Sequence, residues 1–334
     1  MKKIILALLV FLYPFKLLAQ YEITDPILGL KYEVNSVERM TGSLIGTTSK
    51  DISGELIIPP TFTYNGHDFS VTRIEKECFR DCKKLTSVTI PSTVDYLGWG
   101  CFYDCEALES ITLSNNIRTI GECCFISCYS LNSISLPPSL VNIGLSAFSN
   151  CYSLKNVIIE DADTDYSPTD FTRISDLFTH AEAVYLGRRV TFSSECIESP
   201  TIKVLILGGN VNSWTPFNSL YTFKFSGMES LEVLECRALV PPSIPSATDD
   251  QYMNLTVYVP KESLELYKKA DIWKSFWNLK GISSAETSPV LPDDDNKINV
   301  YTLQGIKLDI TNKEDLYILA PGLYIVNGKK VLLK

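Results

Sequence analysis

A period of 23 residues runs without a gap through the middle of the chain. Residues 71–93 read VTRIEKECFRDCKKLTSVTIPST and 94–116 read VDYLGWGCFYDCEALESITLSNN. Residues 117–139 read IRTIGECCFISCYSLNSISLPPS and 140–162 read LVNIGLSAFSNCYSLKNVIIEDA. Val71, Val94, Ile117 and Leu140 open the four blocks, and Ile74, Leu97, Ile120 and Ile143 follow three residues later. Phe79, Phe102, Phe125 and Phe148 recur, as do Cys82, Cys105, Cys128 and Cys151, then Leu85, Leu108, Leu131 and Leu154. A fixed period of this size specifies a stacked repeat, because one such unit cannot bury its own apolar side.

Each block ends in an alternating stretch such as Leu85-x-x-Val88-x-Ile90, the pattern of a strand with one buried face. Pro91 and Pro137 stop two of these strands. The stretch from Cys101 to Leu108 spaces its apolar residues by three and four, which predicts a short helical turn. Stacked copies would sit at strand spacing, ~4.8 Å apart. The expected architecture is an α/β solenoid, right-handed, with a parallel β-sheet along its concave face.

These residues resemble the BspA-type leucine-rich repeat, I-G-x-x-A-F-x-x-C-x-x-L-x-x-I-x-L-P-x-S. Ile143-Gly144, Ala147-Phe148, Cys151 and Leu154 carry the resemblance, as do Leu131, Ile134, Leu136 and Pro137. It implies a leucine-rich repeat fold and an exported or surface protein of bacteria or some protozoa. It also implies a role in adhesion, and leaves the ligand open, since fold does not specify ligand.

The flanks divide the rest of the chain. Residues 1–19, MKKIILALLVFLYPFKLLA, carry two lysines and then an apolar run of about ten residues, the form of a signal peptide. That run is too short to span a membrane, which takes roughly 20 residues. No cysteine follows it until Cys78, which speaks against a lipoprotein anchor there. Residues 20–70 read as an N-terminal β cap, with a first strand at Glu55 to Ile58 and an Asn65-Gly66 turn beside His67. Regular repeats fill 71–160. Across 161–260 the spacing loosens, with further strands at Val184, Val204, Leu231 and Val257. Residues 261–283 show helical periodicity and read as a C-terminal capping helix anchored by Trp273, Phe276 and Trp277. Residues 284–297 are a polar, acidic linker. Residues 298–334 alternate around Gly305, Pro321-Gly322 and Asn327-Gly328. They resemble, at unusually short length, the C-terminal sorting domain of proteins exported across the outer membrane of Gram-negative bacteria. A small β appendage is the other reading.

Composition narrows function by exclusion. The formal net charge is −9, and removal of residues 1–19 takes away Lys2, Lys3 and Lys16 and no acid. A balance that acidic argues against nucleic acid as partner. His67 and His180 are the only two histidines, too few for most metal or acid–base constellations. Asp161, Asp163 and Asp165 open like a calcium loop. Tyr166 then stands where that loop needs Gly, and Thr172 where it needs Glu. No phosphate loop, dinucleotide fingerprint or nucleophile elbow occurs. The reading is of a non-enzymatic protein, without cofactor or metal.

Ten cysteines in an exported chain suggest disulfides by compartment. Their repeat-locked positions point instead to a buried ladder of thiols, since free Cys packs as a small hydrophobe. Disulfides within a Cys-x3-Cys pair or between coils are the alternative, and a zinc site is the poorest fit. Cys123, Cys196 and Cys236 fall outside the ladder.

Two surfaces are candidate sites. The concave face would carry Thr86, Ser87 and Thr89; Glu109, Ser110 and Thr112; Asn132, Ser133 and Ser135; and Lys155 and Asn156, a lawn of small polar groups. On the opposite side Trp99, Tyr103, Tyr129 and Tyr152 occupy repeat positions where other copies carry charge, an aromatic stripe suited to protein or sugar. The expected partner is a host or microbial surface protein, with a glycan as the alternative. The chain is expected to be monomeric, and secreted or held on the outer membrane or cell surface of a Gram-negative bacterium.

Overall fold

The computed structural model describes residues 22–162, 170–171, 175–188, 191–192, 197, 199–209 and 224–283, and the strands at 300–302, 307–308, 322–326 and 329–333. The signal-like segment, the linker and Cys196 lie outside the described residues, as do Asp163, Asp165, Tyr166 and Thr172.

The repeats stack as coils of a solenoid. One long side is built of parallel strands in register. Ser53–Ile57, Lys84–Thr89 and Ser110–Thr112 form one run of three. Ser133–Leu136, Asn156–Ile159, Ala183–Leu186, Val204–Leu207, Val233–Cys236, Thr256–Pro260 and Asn278–Ile282 form a run of seven. The loosened half of the sequence therefore keeps the strand stack although its connections vary in length. A second column of two-residue parallel strands runs beside it through Ile74, Leu97, Ile120 and Ile143. At the N-terminus, Leu30–Ser36 and Thr41–Thr47 pair antiparallel, and Thr61–Tyr64 folds onto His67–Ile74 across the Asn65-Gly66 turn. Both turn residues have positive φ, at 51° and 77°, which suits Asn and Gly.

The core is a set of ladders. Phe79, Phe102, Phe125 and Phe148 stack ring on ring, with centroids 5.1, 5.4 and 5.2 Å apart. The second ladder is sulfur. Cys105, Cys128 and Cys151 each donate their thiol to the carbonyl oxygen of Phe79, Phe102 and Phe125 in the preceding coil, at 3.2, 3.3 and 3.2 Å. An apolar side chain of this size could not satisfy those buried acceptors. A third ladder is glycine. A Cβ built on Gly98, Gly121 or Gly144 would lie 2.3–2.6 Å from backbone of the coil before it, so the coils touch through bare backbone there.

The segment between these ladders corrects one expectation. Cys101 to Leu108 is a run of tight turns, with no helix. Two repeat positions adopt left-handed backbone with φ between 55° and 63°: Glu77, Gly100, Cys123 and Ser146, and Asp81, Asp104, Ser127 and Asn150. Their neighbours bond between coils, as Phe79 N–H does to Cys101 C=O at 2.8 Å and Phe102 N–H to Cys124 C=O at 2.8 Å. A helix would turn these groups inward on itself and forfeit the bonds between coils.

The C-terminal end corrects two more. Residues 261–283 form no continuous helix. A 3-10 turn at Lys261–Ser263 runs into a single α-helical turn at Leu264–Tyr267, and a second 3-10 turn at Trp273–Ser275 leads into Asn278–Ile282, which pairs parallel with Thr256–Pro260 as one more rung. Ile272, at φ 67°, breaks the helical run. Trp273 and Phe276 are buried, and Trp273 Nε1 donates to Pro242 C=O at 2.7 Å. Trp277 is 77% exposed and packs no core. The strands at 300–302, 307–308, 322–326 and 329–333 form a separate four-stranded antiparallel sheet.

Candidate functional site

The concave face is built two residues at a time. In each strand the inward positions, such as Val88, Ile111, Ile134 and Val157, enter the core, and the residues on either side of them turn out. Register then aligns the outward residues into rows. Ser87 lies against Ser110, Thr89 against Thr112, Ser133 against Asn156 and Ser135 against Ile158. Thr86, Ser87, Ser110, Thr112, Ser133, Ser135 and Asn156 are half-buried, whereas Glu109, Asn132 and Lys155 stand exposed. Thr89 departs from the expectation. It is 8% exposed, so its hydroxyl offers little to a partner.

The polar lawn is partly engaged with itself. Ser135 donates to Glu160 at 2.7 Å, and Lys155 pairs with Glu182 at 3.3 Å. Glu182 also takes Lys203 at 2.9 Å, and the two ammonium groups hold its carboxyl below the usual carboxylate range. These exposed pairs add little stability individually. They line one edge of the sheet with alternating charge.

Beyond Asn156 the same face changes character, which the irregular spacing concealed. One outward row continues through Ile158, Tyr185, Ile206, Glu235 and Tyr258. Tyr185 donates its hydroxyl to Asp161, and Arg237 lies over the Tyr185 ring with its guanidinium carbon 5.0 Å from the centroid. Arg237 Nε also donates to Glu235 at 2.7 Å. The signal in the sequence was aromatic and charged residues at strand positions that carry Ser or Thr in the regular blocks.

On the opposite side the aromatic stripe divides. Tyr129 and Tyr152 stack with centroids 5.6 Å apart and planes 2° from parallel, and Tyr152 meets His180 edge-on at 5.5 Å. Trp99 sits in another row, and Tyr103 lies under Arg80, 4.8 Å from its guanidinium carbon. Tyr152 is 57% exposed and Tyr129 39% exposed. The rings face one another along the solenoid, and the Tyr152 hydroxyl donates to Asn150 Oδ1 at 3.2 Å. A sugar-stacking platform needs the opposite arrangement, with ring faces turned outward.

All nine described cysteines are free thiols, and eight of them are buried. Burial pushes the Cys78, Cys101 and Cys128 thiols far up and Cys151 up to about 12. A thiol that cannot ionise neither attacks a disulfide nor binds metal readily. Among the described residues no group of three or more His, Cys, Asp or Glu could hold a metal ion. Of these nine, Cys123 alone should react quickly with Ellman's reagent in the native protein at pH 8. Unfolding without reductant should release the other eight as well. Rapid reaction of several ladder thiols, or a shortfall after unfolding, would contradict the ladder.

Residues 64–177 match the family model described as BspA type leucine rich repeat region, in six copies. A leucine-rich repeat protein from Bacteroides capillosus is 26% identical; the match covers 41% of this chain and 98% of that one, with a TM-score of 0.34. The T. pallidum leucine rich repeat protein is 18% identical over 78% of this chain and 100% of its own, with a TM-score of 0.39. A leucine rich cell surface protein from Faecalibacterium prausnitzii is 17% identical over 74% and 81%, with a TM-score of 0.36. No curated protein matches the chain. A repeat region of this family supports a binding protein in general. Among the described residues, no helix is long and apolar enough to cross a membrane.

Proposed function

We propose that this BspA-like leucine-rich repeat protein is an exported, non-enzymatic adhesion protein whose concave sheet holds a protein of a host or microbial surface. One observation carries the reading. The parallel strands continue in register through the loosened half of the chain, so that Asn156, Ala183, Val204, Val233, Thr256 and Asn278 fall in one row. The last two regular blocks thus share one seven-stranded sheet with the strands beyond them. A rigid face of that kind makes many shallow contacts at once, with a few anchors dominating the affinity. The four-stranded C-terminal sheet is assigned to sorting or surface attachment in this reading.

The test is an array of extracellular-matrix proteins and glycans, probed with the purified protein and two variants. Ser110→Arg with Ser133→Arg crowds the polar half of the concave face, and Tyr129→Ala with Tyr152→Ala removes the aromatic column. Saturable protein binding that falls at least tenfold in the first variant and survives in the second is the expected result. Glycan binding lost in the second variant would transfer the function to carbohydrate recognition. Binding to neither panel would sink the adhesion reading.

A further inference from the structure

Tyr129 and Tyr152 hold the same phase of consecutive coils, one 23-residue period apart. Their rings stack with centroids 5.6 Å apart, and both are exposed. In the two coils before them the same phase holds Lys83 and Glu106, whose side chains pair at 2.6 Å. This surface position therefore joins neighbouring coils twice, first through charge and then through rings. Among the described residues, Tyr129 and Tyr152 are the only two tyrosines in ring contact with each other. Half-buried tyrosines elsewhere meet a charged group instead. Tyr96 lies under Arg73, 3.7 Å from its guanidinium carbon, Tyr103 lies under Arg80, and Tyr185 bonds Asp161.

Proteins outside the cell are usually stapled by disulfides. Here eight of the nine described cysteines are buried free thiols, so the surface of these coils offers tyrosines instead. Two phenols that each lose an electron and a proton become radicals, and such radicals couple through the ring carbons beside the oxygen. Held on adjacent coils, the two rings meet at an effective concentration that separate molecules do not reach. Rotation about exposed side-chain bonds is fast and brings those carbons together. We propose that Tyr129 and Tyr152 are the site of an oxidative cross-link, a dityrosine that staples the third regular coil to the fourth. The co-substrate is hydrogen peroxide acting through a peroxidase. Each phenol gives one electron to the oxidised peroxidase and one proton to water. The radicals join carbon to carbon. Each ring hydrogen displaced there leaves as a proton, and each oxygen takes up a proton, which restores two phenols. The peroxide takes up the two electrons and two protons and becomes two waters. The pair lies on the turn side, so this staple and the concave-face reading stand or fall separately.

The experiment uses the full chain at low concentration, with a plant peroxidase and hydrogen peroxide as the probe. The product is read by dityrosine fluorescence, and by mass after the cysteines are reduced and alkylated. Both tyrosines lie in one tryptic peptide, Thr119–Lys155. That peptide should lose the mass of two hydrogens, and backbone cleavage between the tyrosines should leave its two halves joined. Dityrosine is expected to fall about tenfold or more in Tyr129→Phe and in Tyr152→Phe, which keep the stacked ring and remove the phenol oxygen. Tyr96→Phe should leave it unchanged. In urea that unfolds the chain, the yield of the same link should drop severalfold, because the fold no longer holds the rings together. Thermal melts show whether each variant is folded. No link in the native protein, a signal that survives in either stacked-pair variant, a product carried mainly by dimers on a denaturing gel, or a yield as high in urea as in buffer would overturn the staple.

Discussion

Phe125→Ala is expected to destabilise the protein by about 3–5 kcal/mol, the range for removing a fully buried aromatic ring. Phe125 is fully buried and stacks on Phe102 on one side and Phe148 on the other. The cavity cannot close easily. The carbonyl of Phe125 is held by the Cys151 thiol, and its N–H donates to Ala147 C=O at 2.7 Å, so the backbone is fixed between coils. Phe79→Ala removes the same ring but only one stacking partner among the described rings, Phe102. It should cost less by about one aromatic contact, 0.5–1.5 kcal/mol. Urea unfolding followed by tryptophan fluorescence reads both. Stacked repeats lose stability locally, so hydrogen exchange should loosen most in the coils on either side of the vacancy. A cost under 1 kcal/mol for Phe125→Ala would mean that the ladder is not a packed column.

Gly144→Val is expected to be more damaging still, beyond the ~4–5 kcal/mol that marks an exceptional single substitution. A Cβ at that position would sit 2.3 Å from Glu122 N and 2.6 Å from Glu122 Cα. Both are backbone atoms, and no side-chain rotation relieves the clash. Separation of the coils would be required, and would break the bond from Gly144 N–H to Ile120 C=O at 2.8 Å. Gly46→Ala is the control, because its Cβ would meet only Lys31 Cδ at 3.9 Å. The expected outcome in thermal melts is an unfolded or strongly destabilised Gly144→Val protein and a nearly native Gly46→Ala protein. A Gly144→Val protein that melts with the wild type would show that the coils are not held at backbone contact.

Most of the core could be read in advance because it is local and periodic. Phe, Cys and Leu recur at 23-residue intervals, and a residue at the same phase of each coil must meet its counterpart in the next. The left-handed turns were also within reach. Asp81, Asp104, Ser127 and Asn150 share a phase at which short polar residues of the kind that tolerate positive φ recur. The apolar spacing of three and four around them resembled a helix more strongly. The capping segment misled for a related reason. Trp273, Phe276 and Trp277 have helical spacing, but the last exposed coil offers a strand a full row of backbone partners, and Trp277 is left outside.

The candidate site was less legible. Small polar residues at outward strand positions marked the concave face in the regular blocks, and all but Thr89 remain at least partly exposed there. The row through Tyr185, Glu235 and Tyr258 was missed, because the insertions between these strands hide their common phase. The aromatic positions on the turn side stand out in the sequence because other copies carry charge there. The four rings occupy three different phases of the coil, and only Tyr129 and Tyr152 share one.

The amino-acid sequence by itself determined the repeat length, the stacked parallel sheet and the identity of the core ladders. Those follow from period and polarity, which act between neighbours one coil apart. Only the tertiary structure decided which outward residues stand side by side across uneven loops, and which aromatic rings meet. Those depend on the register between coils, and register is set by the sum of backbone bonds and close contacts along the whole stack rather than by any one segment.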